Sequence, residues 1–267
     1  MSKPIVEKRD APLILSMPHV GREVPDHVAS QLTDKALELE DTDWWIDRLY
    51  DFGEELGATV IRATASRYVI DVNRDPSGAS LYPGQATTGL CPATDFDGVS
   101  LYRNGSGPDA EEIDRHRRPW HTAYHEALAA EIARLRSRYP RVVLYDCHSI
   151  RSHVPRLFDG ELPVFNIGTN GGASCAPEVE AIVTSACADA EPDGYDHVVN
   201  GRFRGGWITR HYGDPENGVH AVQMELAQRA YLTEEAPPWN FDPAKAEQLR
   251  AVLKPMLHRL SFWATKA

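Results

Sequence analysis

The chain has 267 residues, 42% of them hydrophobic, and a formal charge of −11. That is enough apolar material for a real core, and its charge has the wrong sign for nucleic acid or an anionic membrane as partner. No apolar run approaches the ~18 residues of a membrane span, and the charged start MSKPIVEKRDAP lacks a secretory h-region, so a cytoplasmic protein is expected.

In chain order, PLILSMPHVG (12–21) predicts a strand with Leu13, Ile14, Leu15 and Met17 as its apolar body and His19 just past its end. Residues 41–57 predict a helix capped by Asp41 or Thr42, with Trp45, Leu49, Phe52 and Leu56 at helical spacing and Gly57 as its stop. ATVIRA (58–63) and SRYVIDVNRD (66–75) read as two further strands. Asn73 and Arg74 close the second, a guanidinium fork beside an amide donor that suits a carboxylate. The stretch 76–110 is rich in Gly, Pro and Thr and long for a plain connection, which predicts a lid or specificity loop. A helix is expected from Pro119 to Tyr139, with His121 and His125 on its surface, since no HExxH pattern accompanies them.

The centre of the chain is VVLYDCHSIRS (142–152), an unbroken apolar run that gives way to Asp146, Cys147 and His148. It reads as a buried strand of a parallel sheet, with Asp146 and His148 on one side and Cys147 on the other. Ligands of open α/β sheets sit beyond such strand ends. The pair suits a metal site or acid–base chemistry, and equally a core histidine hydrogen-bonded to its neighbour. Beyond it come a strand at 162–169, a Gly-rich turn without a nucleotide-binding pattern, and a helix at 177–190. The segment 197–213 carries Asn200, Arg202, Arg204, Arg210 and His211. A strand at 218–228 sets Ala221, Gln223 and Glu225 on one face, and an amphipathic helix over 242–264 closes the chain. Cys91, Cys147, Cys175 and Cys187 show no CxxC spacing and read as reduced. No composition break marks a linker, so one α/β domain over 1–267 is expected, with 1–11 as a tail.

Collected, the strand-end residues are His19, Asn73 with Arg74, Asp146 with His148, and Glu225, while Asp43 opens a helix. Two histidines and a carboxylate bind zinc with a position left for water. A further glutamate can take the water's proton and return it to a leaving nitrogen, and an arginine can stabilise the oxyanion.

The phrases PHVG, DTDWWIDRLYDF, SRYVIDVNRDP, LYPGQATTGLCP, DCHSIRSHVPRLFDG, FNIGT, NGRFRGGWITRHYG and GVHAVQMELAQ make the chain resemble the N-formylglutamate amidohydrolase family from about residue 12 to 232. The resemblance implies a mixed, mostly parallel sheet flanked by helices, similar to zinc carboxypeptidase and aspartoacylase hydrolases. It also implies release of formate from N-formyl-L-glutamate in histidine degradation. By the same resemblance His19 and His148 hold one divalent metal ion, with Zn2+ the default for these donors. Glu225 is the general base acting on the metal's water, Arg67 polarises the scissile carbonyl, and Asn73 with Arg74 binds the α-carboxylate. The carboxypeptidase-type HxxE pattern is broken, because Arg22 stands three residues after His19. Asp43 is therefore expected as the third ligand, with Glu23 and Asp146 behind it and Asp146 also fit to orient His148. Arg151 and Arg210 are expected to bind the substrate's second carboxylate. The rivals are hydrolysis of another N-acyl amino acid such as N-formylaspartate, thiol chemistry at Cys147, and a non-catalytic dicarboxylate-binding protein.

Overall fold

The computed structural model describes residues 3–80, 84 and 87–266. Seven strands form one mixed sheet: β1 (Ile5–Glu7), β2 (Leu13–Met17), β3 (Thr59–Arg62), β4 (Val142–Ile150), β5 (Phe165–Gly168), β6 (His197–Val199) and β7 (Val219–Ala227). Their spatial order is β1-β3-β2-β4-β7-β5-β6. β3, β2, β4 and β7 are mutually parallel, while β1 and β5 join antiparallel to β3 and β7. Among the described residues the α-helices are α1 (Asp26–Ala29), α2 (Ile46–Leu49), α3 (Ala110–His116), α4 (Ala123–Arg136), α5 (Pro177–Ala188), α6 (Trp207–Tyr212) and α7 (Pro243–Ala264).

Strand alternation builds the layers. Val143, Tyr145 and Cys147 of β4 join Val222 and Met224 of β7 under Val179, Val183, Leu249 and Leu253 of α5 and α7. Val142 and Leu144 face the other way with Ala221, against Leu128 and Leu135 of α4 and Ile208 of α6. Each such side chain contributes about 1.5–3 kcal/mol on full burial, so β2, β4 and β7 are held from both sides. Every residue of β4 is buried, Asp146 and His148 included. The α7 boundary follows its sequence signals: Pro243 opens it, and Asp242 accepts from Ala244 N at 2.9 Å and Lys245 N at 3.1 Å. Among the described residues no helix is long and apolar enough to cross a membrane.

Three expected elements differ. Residues 66–75 are a string of turns, not a strand, because local hydrogen bonds take the backbone: Val69 N donates to Ser66 O at 2.9 Å and Asn73 N to the Asp71 carboxylate at 2.8 Å. The helix expected over 41–57 shrinks to α2 and a single 3-10 turn. Asp43 N is tied to His19 O at 3.1 Å, and Trp45 adopts a left-handed φ of 61°. Gly57 does end that segment, at φ 64°. The helix expected from Pro119 instead begins at Ala110, where Asp109 accepts from Glu112 N at 2.8 Å. Pro119 lies in a π-helical turn (Arg117–Thr122) that joins α3 to α4, the wider turn accommodating a residue without an N–H. His121 and His125 are not surface residues. Their rings pack on each other and on Trp207, with His121 Nε2 donating to Arg74 O at 2.9 Å. The lid expected over 76–110 falls partly on 81–83, 85 and 86, which lie outside the described residues. Within 87–109, Leu90, Cys91, Leu101 and Tyr102 are buried in a small core with Val28, Leu32 and Trp120.

Candidate active site

The parallel strands β2, β4 and β7 end on one edge, and the chemistry-bearing side chains gather there. His19 follows β2 by two residues, and its carbonyl draws Asp43 back beside it. In β4 and β7 the register pairs Asp146 with Gln223 and His148 with Glu225. The sheet's own period of two thus brings an imidazole and a carboxylate side by side. All of His19, Asp43, Arg67, Asp71, Asn73, Asp146, His148 and Glu225 are buried. Burying ionisable groups costs several kcal/mol each unless they are paired, so their mutual contacts decide whether the edge is tenable.

Those contacts fix both imidazoles. His19 Nε2 donates to Asp71 Oδ1 at 2.7 Å, which turns its Nδ1 inward. His148 Nε2 stands 3.0 Å from Asp146 Oδ2 and 3.1 Å from Asn73 Nδ2, so its Nδ1 faces the same point. Asp43 Oδ2 completes the group, 3.1 Å from His148 Nδ1 and 3.6 Å from His19 Nδ1. Donor atoms of His19, Asp43 and His148 all lie within 4.8 Å of one another. Asp43 Oδ1 is buried and has no hydrogen-bond partner. Ligands about 2.0–2.1 Å from a tetrahedral centre stand about 3.3 Å apart, and histidine ligands ordinarily give their outer nitrogen to a carboxylate. The donor set therefore fits a divalent cation. Without one, burial would raise the Asp43 carboxyl, but His19 and His148 hold it down at about 2. Burial likewise opposes protonation of His148, and Asp146 and Asp43 outweigh it, raising its pKa well above the ordinary range.

Glu225 is the opposite case. Burial, reinforced by Asp43 and Asp146 and opposed by His148 and Arg67, pushes its carboxyl up to about 8. A carboxyl so poised can both take and return a proton near neutral pH. It lines a cleft with His19, His148, Arg67, Arg74, Thr88, Phe96 and Arg202. Arg67 donates to Asp71 Oδ2 at 2.7 Å, lies 3.4 Å from His19 Nδ1 through Nη1, and covers the Phe96 ring at 4.7 Å. Arg74 is braced from the loop: Nε donates to Thr88 O at 3.0 Å and Nη2 to Thr88 Oγ1 at 3.1 Å. Asn73 joins the wall, but its amide is engaged by His148 and by Ile208 N, which donates to Oδ1 at 2.8 Å. Gly206 packs against that amide so closely that a Cβ would lie 2.4 Å from Asn73 Nδ2. A larger residue there would have to push the Asn73 amide off His148 and Ile208.

Other expected residues lie elsewhere. Arg151 pairs with Asp97 at 2.8 Å and Glu40 at 3.3 Å, and Arg210 Nε donates to Gly205 O at 2.9 Å; neither lines the cleft. Glu23 is exposed and outside the cation-sized group, whereas Asp146 stands behind His148 rather than inside that group. Cys147 faces the opposite core, and burial pushes its thiol far above its usual range, which removes it as a nucleophile. The residues sequence reasoning passed over are Asp71, Thr88, Gln223 and Arg202. Gln223 was visible as the same-face neighbour of Glu225, to which its Nε2 donates at 3.2 Å. Asp71 sits two residues before Asn73 in a quoted motif, but reading 66–75 as a strand hid its turn to His19.

Comparison with known proteins agrees along most of the chain. Residues 11–232 match the model of the N-formylglutamate amidohydrolase family. An N-formylglutamate deformylase of Pseudomonas aeruginosa is 53% identical over 252 residues, covering 94% of this chain and 93% of that protein. One from Pseudomonas putida is 48% identical over 255 residues, covering 96% and 94%. Among solved structures, the N-formylglutamate amidohydrolase of Ralstonia eutropha JMP134 superposes with a TM-score of 0.81 over 99% of this chain and 98% of that one, at 21% identity. A gene product of Agrobacterium tumefaciens follows with a TM-score of 0.72 at 16% identity, over 97% and 94%. These two likenesses bear on the fold.

Proposed function

The chain belongs to the N-formylglutamate amidohydrolase family, and on that premise we propose that it hydrolyses N-formyl-L-glutamate to L-glutamate and formate. The observation that carries the reading is the convergence of His19 Nδ1, Asp43 Oδ2 and His148 Nδ1 beside Glu225, in a cleft lined by three arginines. His19, Asp43 and His148 would hold one divalent cation, with zinc favoured by the imidazole and carboxylate donors. When bound, such a cation polarises a carbonyl and acidifies water.

The chain's own residues supply the rest. Glu225 accepts a proton from the attacking water as the C–O bond forms at the formyl carbon. It then delivers that proton to the amide nitrogen as the C–N bond breaks, so formate and the free amine leave together. Arg67, held by Asp71, faces the negative charge that develops on the formyl oxygen. Arg74, steadied by Thr88, binds the α-carboxylate, and Asn73 positions His148 rather than the substrate. Arg202 lines the same cleft, and we assign it the side-chain carboxylate in place of Arg151 and Arg210. Two arginines for two carboxylates is what a dicarboxylate amide requires. Glutamate and formate as products suit the last step of a histidine-degradation route. Four free, buried thiols suit the cytoplasm.

The test is formate release from N-formyl-L-glutamate, before and after chelation and after zinc is restored. Loss with chelator and recovery with zinc is the expected result. Turnover indifferent to chelation would overturn the cation's part. Formate from N-formylaspartate at an equal or greater rate would move the substrate assignment to the shorter acid.

A further inference from the structure

Away from the cleft, α1 and α3 bring a second set of metal-binding side chains together. Glu112 and His116 are four residues apart on α3 and so share one face. His27 of α1 meets them there, its Nε2 3.4 Å from His116 Nε2, with the rings tilted at 59°. One donor atom from each of the three lies within 4.8 Å of the others.

Three features set this group apart from a chance encounter. The first is orientation: His116 Nδ1 donates to Val69 O at 3.1 Å, which leaves the Nε2 lone pair aimed at His27 and Glu112. The second is spacing. Two nitrogens about 2.0–2.1 Å from a tetrahedral centre stand about 3.3 Å apart, close to the separation found. The third is charge. Glu112 is only 8% exposed, and its Oε1 accepts from Gln31 Nε2 at 2.9 Å. Among the described residues no Lys or Arg forms an ion pair with it, and this buried carboxylate is met by the Gln31 amide and the two imidazoles.

We propose that His27, Glu112 and His116 form a second divalent transition-metal site, independent of the cleft, with its fourth position open to water beside the exposed His27. Its donors are those of zinc, cobalt or nickel rather than calcium or magnesium. Bound metal would clamp α1 to α3. Through His116 and Val69 O it would also steady the turns over 66–74 that carry Arg67, Asn73 and Arg74.

The experiment titrates tag-free, metal-stripped chain with Zn2+ against a chromophoric competitor, for wild type, His27→Ala and Glu112→Gln. His27 is exposed, so its replacement leaves the metal-free melting temperature in place. The expected result is one equivalent of zinc fewer in His27→Ala than in wild type. In Glu112→Gln that equivalent should bind at least tenfold more weakly, and the part of the zinc-induced rise in Tm that it causes should disappear in both. Because the readout is a difference between variants, it holds whether or not the cleft also takes metal. Equal zinc stoichiometry and equal affinities in all three chains would overturn the site. So would loss of the extra equivalent in His19→Ala but not in His27→Ala.

Discussion

His148 and Glu225 are register partners on the parallel strands β4 and β7, and each holds its proton above its ordinary pKa, for a different reason. The imidazole is surrounded by Asp43 and Asp146 and gains protons; the carboxyl is buried and loses its charge readily. The carboxylates around the imidazole suit a cation's ligand, and a buried carboxyl poised near neutral pH suits a base. From that division follows a sharp expectation for Glu225→Gln. The amide keeps the shape of the side chain but cannot accept the water's proton, so kcat should fall by about 10^2–10^4. Zinc stoichiometry should stay at the wild-type value, since Glu225 is outside the three-residue donor group. Steady-state kinetics beside metal analysis checks both halves, and retained turnover would place the base elsewhere.

Arg74 donates to Thr88 through two nitrogens and to Asn73 O, and forms an ion pair with Asp71 at 3.7 Å. Asp71 is engaged more closely by His19 and Arg67, both at 2.7 Å, so the Arg74 guanidinium keeps charge for a ligand. Arg74→Ala should therefore raise KM by about 10- to 100-fold, the loss of a charge-assisted contact of about 1.5–3 kcal/mol, while kcat changes less. Unchanged KM would remove Arg74 from substrate binding. Thr88→Val, which deletes one brace, should show a smaller shift in the same direction.

Asp71 orients His19 and binds Arg67 at once. Burial would raise its carboxyl, but Arg74, His19 and Arg67 hold it well below the usual range. Asp71→Asn can still accept from His19, yet it no longer lends the ring negative charge. Cation affinity should drop about 10- to 100-fold, the usual cost of losing such a partner. A competition titration with zinc measures it directly, and an unchanged affinity would mean that His19 is oriented by packing alone.

Much of this was legible before any coordinates. The apolar runs of β2, β4 and β7 announced a parallel core, and alternation alone set Cys147 opposite His148 and grouped Gln223 with Glu225. Where the chain turns on side-chain hydrogen bonds, periodicity had nothing to report. Residues 66–75 look like a strand because Tyr68, Val69 and Ile70 are apolar and buried, yet Ser66 and Asp71 fold the backbone into turns. The partners of Arg151 were equally invisible. Glu40 and Asp97 lie far from it in sequence, and only the fold brings them to the guanidinium. Arg202 stood in the same dense motif as Arg210, and density could not say which of them faces the cleft.

His125 gives the chain a built-in acid limit. Its Nε2 donates to Val72 O at 2.8 Å, and Tyr212 Oη lies 3.0 Å from Nδ1. Burial, helped by neighbouring His121, lowers its pKa to about 3. In the unfolded chain the ring titrates near 6.5. Between those values the unfolded state binds the proton and the folded state does not, so the neutral ring's contribution is complete above pH ~6.5 and is lost as pH falls toward ~3. One such group gives a slope of about 1.4 kcal/mol per pH unit at most. His220, also held down by burial, to about 4, acts in the same direction. Glu225 and His148 hold protons in the folded chain and act in the opposite direction, so urea unfolding of metal-free chain at pH 7, 6 and 5 isolates His125 as a difference between two chains. His125→Gln, which has no proton to gain, should be less stable at pH 7 and flatter by about one group's slope below pH 6. Parallel curves for the two chains would show that His125 protonates in the folded state, and that its burial does not set the acid limit.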